Sequence, residues 1–208
     1  MKIVCISDTH GEHENIHIPH GDVLIHAGDI SCYGKEVEVD RFLKWFSKKP
    51  HPYKIFIAGN HDFYFEKTST VIIKDKIPNN VIYLNDSGCT INDFHFWGSP
   101  IQPYFHKWAF NRRRGAEIER HWELIPQNTD VLITHGPPYS ILDLSVKGQQ
   151  VGCKDLYNTI KTLKIKAHIF GHIHEDYGRQ TTNGIQFVNA SILDEFYKVV
   201  NSPIIIEI

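Results

Sequence analysis

Short runs of Ile, Val and other apolar residues recur along this chain, each closed by Gly, Asn, Asp or Pro, and several end directly in Asp, Asn or His. They are Ile3–Ile6, Val23–His26, Lys54–Ala58, Val81–Leu84, Phe94–Gly98, Val131–Thr134, His168–Phe170, Ile185–Val188 and Ile204–Ile208. Runs this short and rich in branched residues read as buried strands. Helical spacing lies between them. Val39, Phe42, Leu43 and Phe46 follow the i, i+3, i+4, i+7 pattern of a helix with one buried face. Ile118, Trp122 and Ile125 repeat it until Pro126 stops the segment, and Leu156, Ile160 and Leu163 repeat it again. Strands alternating with helices, then strand-rich stretches, predict an α/β protein with layered sheets. No internal repeat or flexible linker divides residues 1–208, so a single domain is expected. The longest stretch without periodicity runs from Pro137 to Gly152, a length at which loops are often functional.

Five short polar motifs follow these strands. They are Asp8-Thr-His10, Gly28-Asp29, Gly59-Asn60-His61-Asp62, His135-Gly136 and Gly171-His172-Ile-His174. Each falls on the loop beyond a strand's carboxyl end, the edge at which open α/β sheets bind ligands, so the five loops are expected to converge on one pocket. Asp8 and His10 are two apart, as are His172 and His174, so on extended backbone each pair points to one side. Imidazole, carboxylate and amide without thiolate form a donor set suited to Mn, Fe, Zn and similar ions, not to a structural zinc cage. Asp8, His10, Asp29, Asn60, His135, His172 and His174 are seven candidate ligands, more than one ion needs. Two divalent ions sharing a bridging carboxylate use the set, and such pairs clamp the attacking and leaving oxygens of a phosphate ester. Any one motif alone is weak, because a single strand-end His is more often structural. Five in this order are hard to attribute to coincidence.

Composition narrows the context. Lys+Arg number 22 against 24 Asp+Glu, a formal net charge of −2, which argues against a protein that coats nucleic acid. No apolar stretch is long enough to span a bilayer, and the N-terminal apolar run is too short for a signal-peptide core. Cys5, Cys32, Cys89 and Cys153 form no CxxC pair and read as free thiols. A cytoplasmic protein without membrane partners is therefore predicted. Of 14 histidines, His17, His20, His51 and His121 read as ordinary surface residues.

The five motifs resemble the D-x-H, G-D, G-N-H-D/E, H and G-H-x-H pattern of the calcineurin-like metallophosphoesterases. The resemblance implies a four-layer α/β/β/α sandwich of two mixed sheets flanked by helices, with the metals at the sheet edge. It also implies an assignment: Asp8, His10 and His174 to one ion, Asn60, His135 and His172 to the other, and Asp29 as the bridge. His61 falls where the family keeps a non-ligating histidine, whose expected role is to protonate the leaving oxygen or to stabilise phosphoryl charge. Asp62 is expected to orient that imidazole. Further stretches, from Ile57 to His61, Trp108 to Gly115, Thr134 to Pro138 and Val151 to Cys153, are similar to the metallophosphoesterase-domain-containing branch, often called class III cyclic-nucleotide phosphodiesterases. Some members of that branch carry Gly where this chain has His172, so both sites are expected to be complete here.

Substrate recognition is sought between His106 and Arg114, where aromatic faces able to stack a base alternate with guanidinium groups able to bind phosphate. Trp108, Asn111 and Arg112 are the candidate substrate residues. The competing reading is a solvated basic helix start, with Arg113 and Arg114 paired to Glu117. Pro137-Pro138 stiffens the exit from His135, and Asn189-Ala-Ser191 is placed to back the metal loops or to serve structure alone. The expected activity is hydrolysis of a cyclic nucleotide or related small phosphodiester by metal-activated water, with Mn the leading metal and Fe, Zn, Ni or Co as others. A phosphomonoesterase, an RNA-end-processing nuclease and a non-catalytic scaffold are the rivals. The scaffold has no need of an intact ligand set.

Overall fold

The computed structural model describes all residues 1–208. Two sheets carry the chain. The first has the order β13-β1-β2-β3-β4 and the second β11-β12-β10-β9-β6-β5. Their strands are β1 (Lys2–Ile6), β2 (Val23–His26), β3 (Tyr53–Phe56), β4 (Ile82–Tyr83), β5 (Ser87–Ile91), β6 (Phe94–Ser99), β9 (Val131–Thr134), β10 (Ala167–Phe170), β11 (Gly178–Thr182), β12 (Ile185–Asn189) and β13 (Ile204–Glu207). A small pair, β7 (Gln102–Pro103) and β8 (Asn111–Arg112), closes a loop outside them. Helices α1 (Glu36–Ser47), α2 (Phe63–Lys67), α3 (Thr70–Lys76), α4 (Ala116–Trp122) and α5 (Lys154–Ile160) lie between strands in sequence.

The layering follows from the two-residue period of a strand. Ile3, Cys5, Val23, Ile25, Ile55, Val131, Ile133, Ala167 and Ile169 pack together between the sheets. Their neighbours Val4, Ile6, Leu24, Phe56, Leu132 and Phe170 join a second cluster with the helices. Strands covered on both faces are mostly apolar, which is why β1, β2, β9 and β10 read as apolar runs, and the buried His26, Thr134 and His168 on them are hydrogen-bonded. On one outer face α1 lays Phe42 and Phe46 against Phe56, with Phe42 and Phe56 ring centres 5.4 Å apart. On the other, Ile118 and Trp122 of α4 join Leu156 and Ile160 of α5. The result is the expected α/β/β/α sandwich of two mixed sheets.

The first sheet is antiparallel at one edge only, and the second at both edges. In the first, β1, β2, β3 and β4 are parallel, and β13 runs against β1. In the second, β12, β10, β9 and β6 are parallel, and β11 and β5 run against them. The carboxyl ends of β1, β2, β3, β9 and β10 therefore share one edge of the molecule. Just past those ends the sheets are stitched together, as Ser7 bridges to Ser191 and the Ile192 N–H donates to the Ser7 carbonyl at 3.0 Å. No helix is long and apolar enough to cross a membrane.

Two histidines expected on the surface are not there. His51 is buried and pairs through Nε2 with the Pro19 carbonyl at 3.0 Å. His121 is half-buried and meets Asp86 at 2.6 Å. Neither could be recognised locally, because each partner lies more than thirty residues away. All four cysteines are free thiols.

Candidate metal centre

Five loops meet at the shared edge, three from the first sheet and two from the second, so the pocket lies across both sheets. Each loop is pinned to its neighbour by backbone. The Asp8 N–H donates to the Gly28 carbonyl at 2.9 Å, the His10 N–H to the Asp29 carbonyl at 3.0 Å, and the Gly171 N–H to the His135 carbonyl at 2.9 Å. The local conformation is costly. Asp8, His10, Asp29 and His172 have φ of 52°, 40°, 56° and 72°. Left-handed backbone at a non-glycine costs roughly 1–3 kcal/mol and persists only where the surroundings over-determine it. Four of the seven candidate ligands sit in that region. Strain at this density marks a functional constellation.

The side chains form two groups that Asp29 and His10 link. Donor atoms of Asp8, His10 and His174 lie within 4.8 Å of one another, and so do those of Asp29, His135 and His172. A further grouping joins His10 and Asp29 to His61. Asp29 Oδ2 stands 3.6 Å from His10 Nε2, 3.4 Å from His135 Nε2 and 4.0 Å from His61 Nε2. Asn60 Oδ1 is 2.8 Å from His135 Nε2, and His174 Nε2 is 3.5 Å from Asp8 Oδ1. All seven candidate ligands are thus brought together.

The imidazoles are oriented alike. Nδ1 of His10 faces the Ser31 carbonyl, Nδ1 of His61 the Cys32 carbonyl, Nδ1 of His135 the Ala27 carbonyl and Nδ1 of His174 the Asp194 carbonyl, at 2.7–3.2 Å. A carbonyl only accepts, so Nδ1 carries the proton and Nε2 is turned to the centre. This is how metal-binding histidines are commonly prepared. The carboxylate of Asp8 is braced in the same way, receiving the His172 N–H and the Ser191 hydroxyl at Oδ2, each at 2.9 Å. Asn189 receives the Ser191 N–H on Oδ1 and donates from Nδ2 to the Ile173 carbonyl at 2.7 Å, so the Asn189–Ser191 segment does back the metal loops.

Two observations test whether these residues fit cations. Asp8 Oδ1 and His10 Nε2 are buried and have no hydrogen-bond partner, an expensive condition unless something positive binds there. The charge pattern agrees. Burial would keep His135 and His174 neutral, but Asp29 and Asp8 beside them raise both to about 9. The same two carboxylates, despite burial, are held below the usual carboxylate range by His174 and His135. Burial pushes His10 down to about 4 and His172 down to about 3. Protons thus stand where cations would stand, paired to the same two carboxylates, and the residues fit divalent ions.

Three glycines make the crowding possible. A Cβ on Gly171 would land on Asp8 Oδ2, and one on Gly59 would land on Asp29. At Gly28 it would stand 2.5 Å from His135 Nδ1.

Asp62 departs from its expected role. Its carboxylate does not touch the His61 ring, which the Cys32 carbonyl orients instead. It accepts from the N–H groups of Ile30, Ser31 and Gly59 at 2.8–3.2 Å and from the Ser31 hydroxyl, tying the Asp29 loop to the Asn60 loop. Burial and the nearby Asp29 push it up to about 7. The carboxylate is one residue beyond His61 but enters the interior as the chain turns into α2, so adjacency in sequence misled.

Of the three candidate substrate residues, one reaches the centre. Trp108 stacks on His61, ring centres 4.1 Å apart and planes 28° apart, and borders a cavity of about 420 Å3 that His10 and His61 also line. Asn111 and Arg112 do not line that cavity. Asn111 bonds the Phe105 and His106 carbonyls and Gln102, and Arg112 donates to the Asn111 carbonyl and to His121. Arg114 binds the Gly152 and Val151 carbonyls in place of Glu117. Tyr197 lies 4.8 Å from His10 and was not singled out by sequence reasoning. Nothing in its loop, Asp194 to Lys198, carries a local signal for it.

Comparison with known proteins follows the same line. The profile described as Calcineurin-like phosphoesterase matches residues 1–176. Metallophosphoesterase domain-containing protein 1 of Homo sapiens is 41% identical over 230 residues, covering all of this chain and 71% of that protein. A UPF0046 protein of Caenorhabditis elegans is 37% identical over 217 residues, covering 99% and 74%. A solved structure with 16% identity superposes with a TM-score of 0.65 over 94% of this chain and 91% of its own, a likeness of fold alone.

Proposed function

This chain belongs to the calcineurin-like phosphoesterase family, which carries metal-dependent hydrolysis of phosphoric esters, and from that membership we propose a dinuclear phosphodiesterase acting on cyclic nucleotides or related small phosphodiesters. The reading rests on one observation. Asp29 Oδ2 lies within 3.6 Å of both His10 and His135, each of which belongs to a separate donor group. A carboxylate so placed suits a bridge. Asp8, His10 and His174 would hold one ion and Asn60, His135 and His172 the other. Nitrogen and oxygen donors without thiolate suit Mn, Fe, Zn, Ni or Co, and Mn is taken as the leading ion.

Divalent ions held there would supply positive charge for the phosphoryl oxygens and would lower the pKa of bound water toward neutrality. The chain's own part is orientation and proton handling. Carbonyls of Ala27, Ser31 and Asp194 keep Nε2 of His135, His10 and His174 turned inward. His61 has Nδ1–H on the Cys32 carbonyl, which leaves Nε2 to carry the proton that the departing alkoxide takes. Trp108 stacked on the ring limits its rotation. No Ser or Cys nucleophile is required. Diesters are preferred over monoesters because of the similarity to the cyclic-nucleotide branch. The four free thiols suit a reducing compartment, and we place the protein in the cytoplasm as a single domain.

Purified protein is assayed for bound metal and then, with added Mn, against cyclic nucleotides, aryl diesters and linear monoesters. Two metal equivalents and faster diester turnover are expected. Faster monoester turnover would make it a phosphomonoesterase, and no stoichiometric metal would remove the hydrolase reading.

A further inference from the structure

The cavity beside the centre has an unusual wall. Tyr33, Trp108 and Tyr197 supply aromatic faces, and His10 and His61 join it to the candidate metal centre. Its single Asp, Glu, Lys or Arg side chain is Glu12. No Lys or Arg lines it. The arginines of 112–114 are engaged elsewhere: Arg112 and Arg114 bond backbone carbonyls, and Arg113 borders a separate hollow with Tyr104.

Tyr197 is the strained member. Its φ is 60°, left-handed backbone at a bulky aromatic residue, where that conformation is a genuine outlier. A turn holds it there. Asp194 Oδ1 accepts the N–H groups of Phe196 and Lys198, each at 2.9 Å, and the Asp194 carbonyl accepts the Tyr197 N–H at 3.0 Å. That carbonyl also faces His174 Nδ1 at 2.9 Å, so the turn is anchored to a candidate metal ligand. The ring stands edge-on to His10 at 4.8 Å and lies 5.6 Å from His174 and 6.4 Å from His61. Half of Tyr197 is exposed, as is most of Tyr33 at 71%. A half-exposed ring carried on an anchored turn beside the candidate metal centre offers stacking surface.

Resting on the hydrolase reading above, we propose that this cavity seats a flat, uncharged ring carried on an ester arm of a monoanionic phosphodiester, with Tyr197 as the residue that selects it. A nucleobase and a free aryl group share that chemistry. A wall of aromatic faces stacks any planar ring. A wall with Glu12 and no cation leaves further negative charge uncompensated, which disfavours polyphosphates and nucleic-acid backbones.

The test uses the Mn-loaded full chain, with bis(4-nitrophenyl) phosphate and 2′,3′-cyclic AMP as the two ring sources. Tyr197→Ala is expected to raise KM about tenfold, within the range that loss of a stacking aromatic produces. Its kcat and metal content are expected to stay within about twofold of wild type, and Tyr197→Phe, which keeps the ring, restores KM. A rise for both substrates supports any flat ring as occupant, and a rise for the aryl ester alone supports an aryl group. An unchanged KM in metal-loaded Tyr197→Ala overturns the proposal while leaving the hydrolase reading intact. Loss of metal in that variant also overturns it, since Tyr197 would then serve the His174 loop. If wild-type protein holds metal yet cleaves neither diester, the underlying reading has failed instead.

Discussion

Ser191 donates its hydroxyl to Asp8 Oδ2 at 2.9 Å across 183 residues of chain. Asp8 leaves the first sheet and Ser191 follows the last parallel strand of the second, so this bond and the adjacent Ser7–Ser191 bridge join the sheets at the candidate metal centre. Partners of a ligand's free atoms typically contribute 10–100-fold in metal affinity. Ser191→Ala is therefore expected to weaken Mn binding at least about tenfold with little change in the circular dichroism spectrum. Equilibrium dialysis would read this, and unaltered affinity would mean the His172 N–H is brace enough.

Gly171 has no room for a methyl group, because its Cβ would fall on Asp8 Oδ2 and beside the Ser7 hydroxyl. Relief requires moving the carboxylate or the β10 loop. Gly171→Ala should lower metal content below two equivalents and cost about 1–3 kcal/mol, the usual range for overpacking. For a chain of this size that is a fall in Tm of roughly 2–12 °C. A variant that keeps both its Tm and its metal would show the loop to be softer than its packing indicates.

His61 faces Asp29 through Nε2 at 4.0 Å, the longest of the three imidazole approaches to that carboxylate. If it handles a proton and does not hold a metal, His61→Ala loses about 10²–10⁴-fold in kcat, the span of general acid catalysis, and keeps its metal. Elemental analysis beside the rate measurement decides the role. Depletion of both ions would make His61 a ligand.

Metal uptake should depend on pH with a defined sign. His135 and His174 are raised to about 9, so both are protonated at pH 7 in metal-free protein. Ligation needs the neutral ring, and binding must release those protons. Mn affinity is thus expected to rise from pH 7 toward pH 9 by up to about one decade per unit for each proton displaced. Calorimetry in two buffers of different ionisation enthalpy measures the release. In metal-free protein the same pairs add stability that is full below pH 6.5 and is lost as pH climbs through about 9.

Much of this was legible because the signals are local. A buried strand is mostly apolar on both faces, so β1, β2, β9 and β10 stand out as runs, and the polar residues just beyond them mark the loops. Of the strands that escaped notice, Ser87–Ile91 and Gly178–Thr182 are the two edges of the second sheet, where one side of the ladder meets solvent and polar residues are tolerated, and Gln102–Pro103 and Asn111–Arg112 are only two residues each. Helix α2, at five residues, is too short for a periodic signature, and α3 buries only Ile73, so no apolar stripe marks it.

Residue chemistry by itself determined which side chains are able to hold cations and the order of loops that present them. Where those side chains point was decided by contacts that only folding creates. Asp62 turns inward because four donors from two loops await it, the Cys32 carbonyl takes the His61 ring, and Asn111 and Arg112 brace their own loop. Tyr197 reaches His10 across 187 residues because a five-residue turn forces its backbone left-handed. Hydrogen bonds and ring contacts act over a few ångströms of space, whatever the separation along the chain, so no reading of neighbours in sequence could supply them.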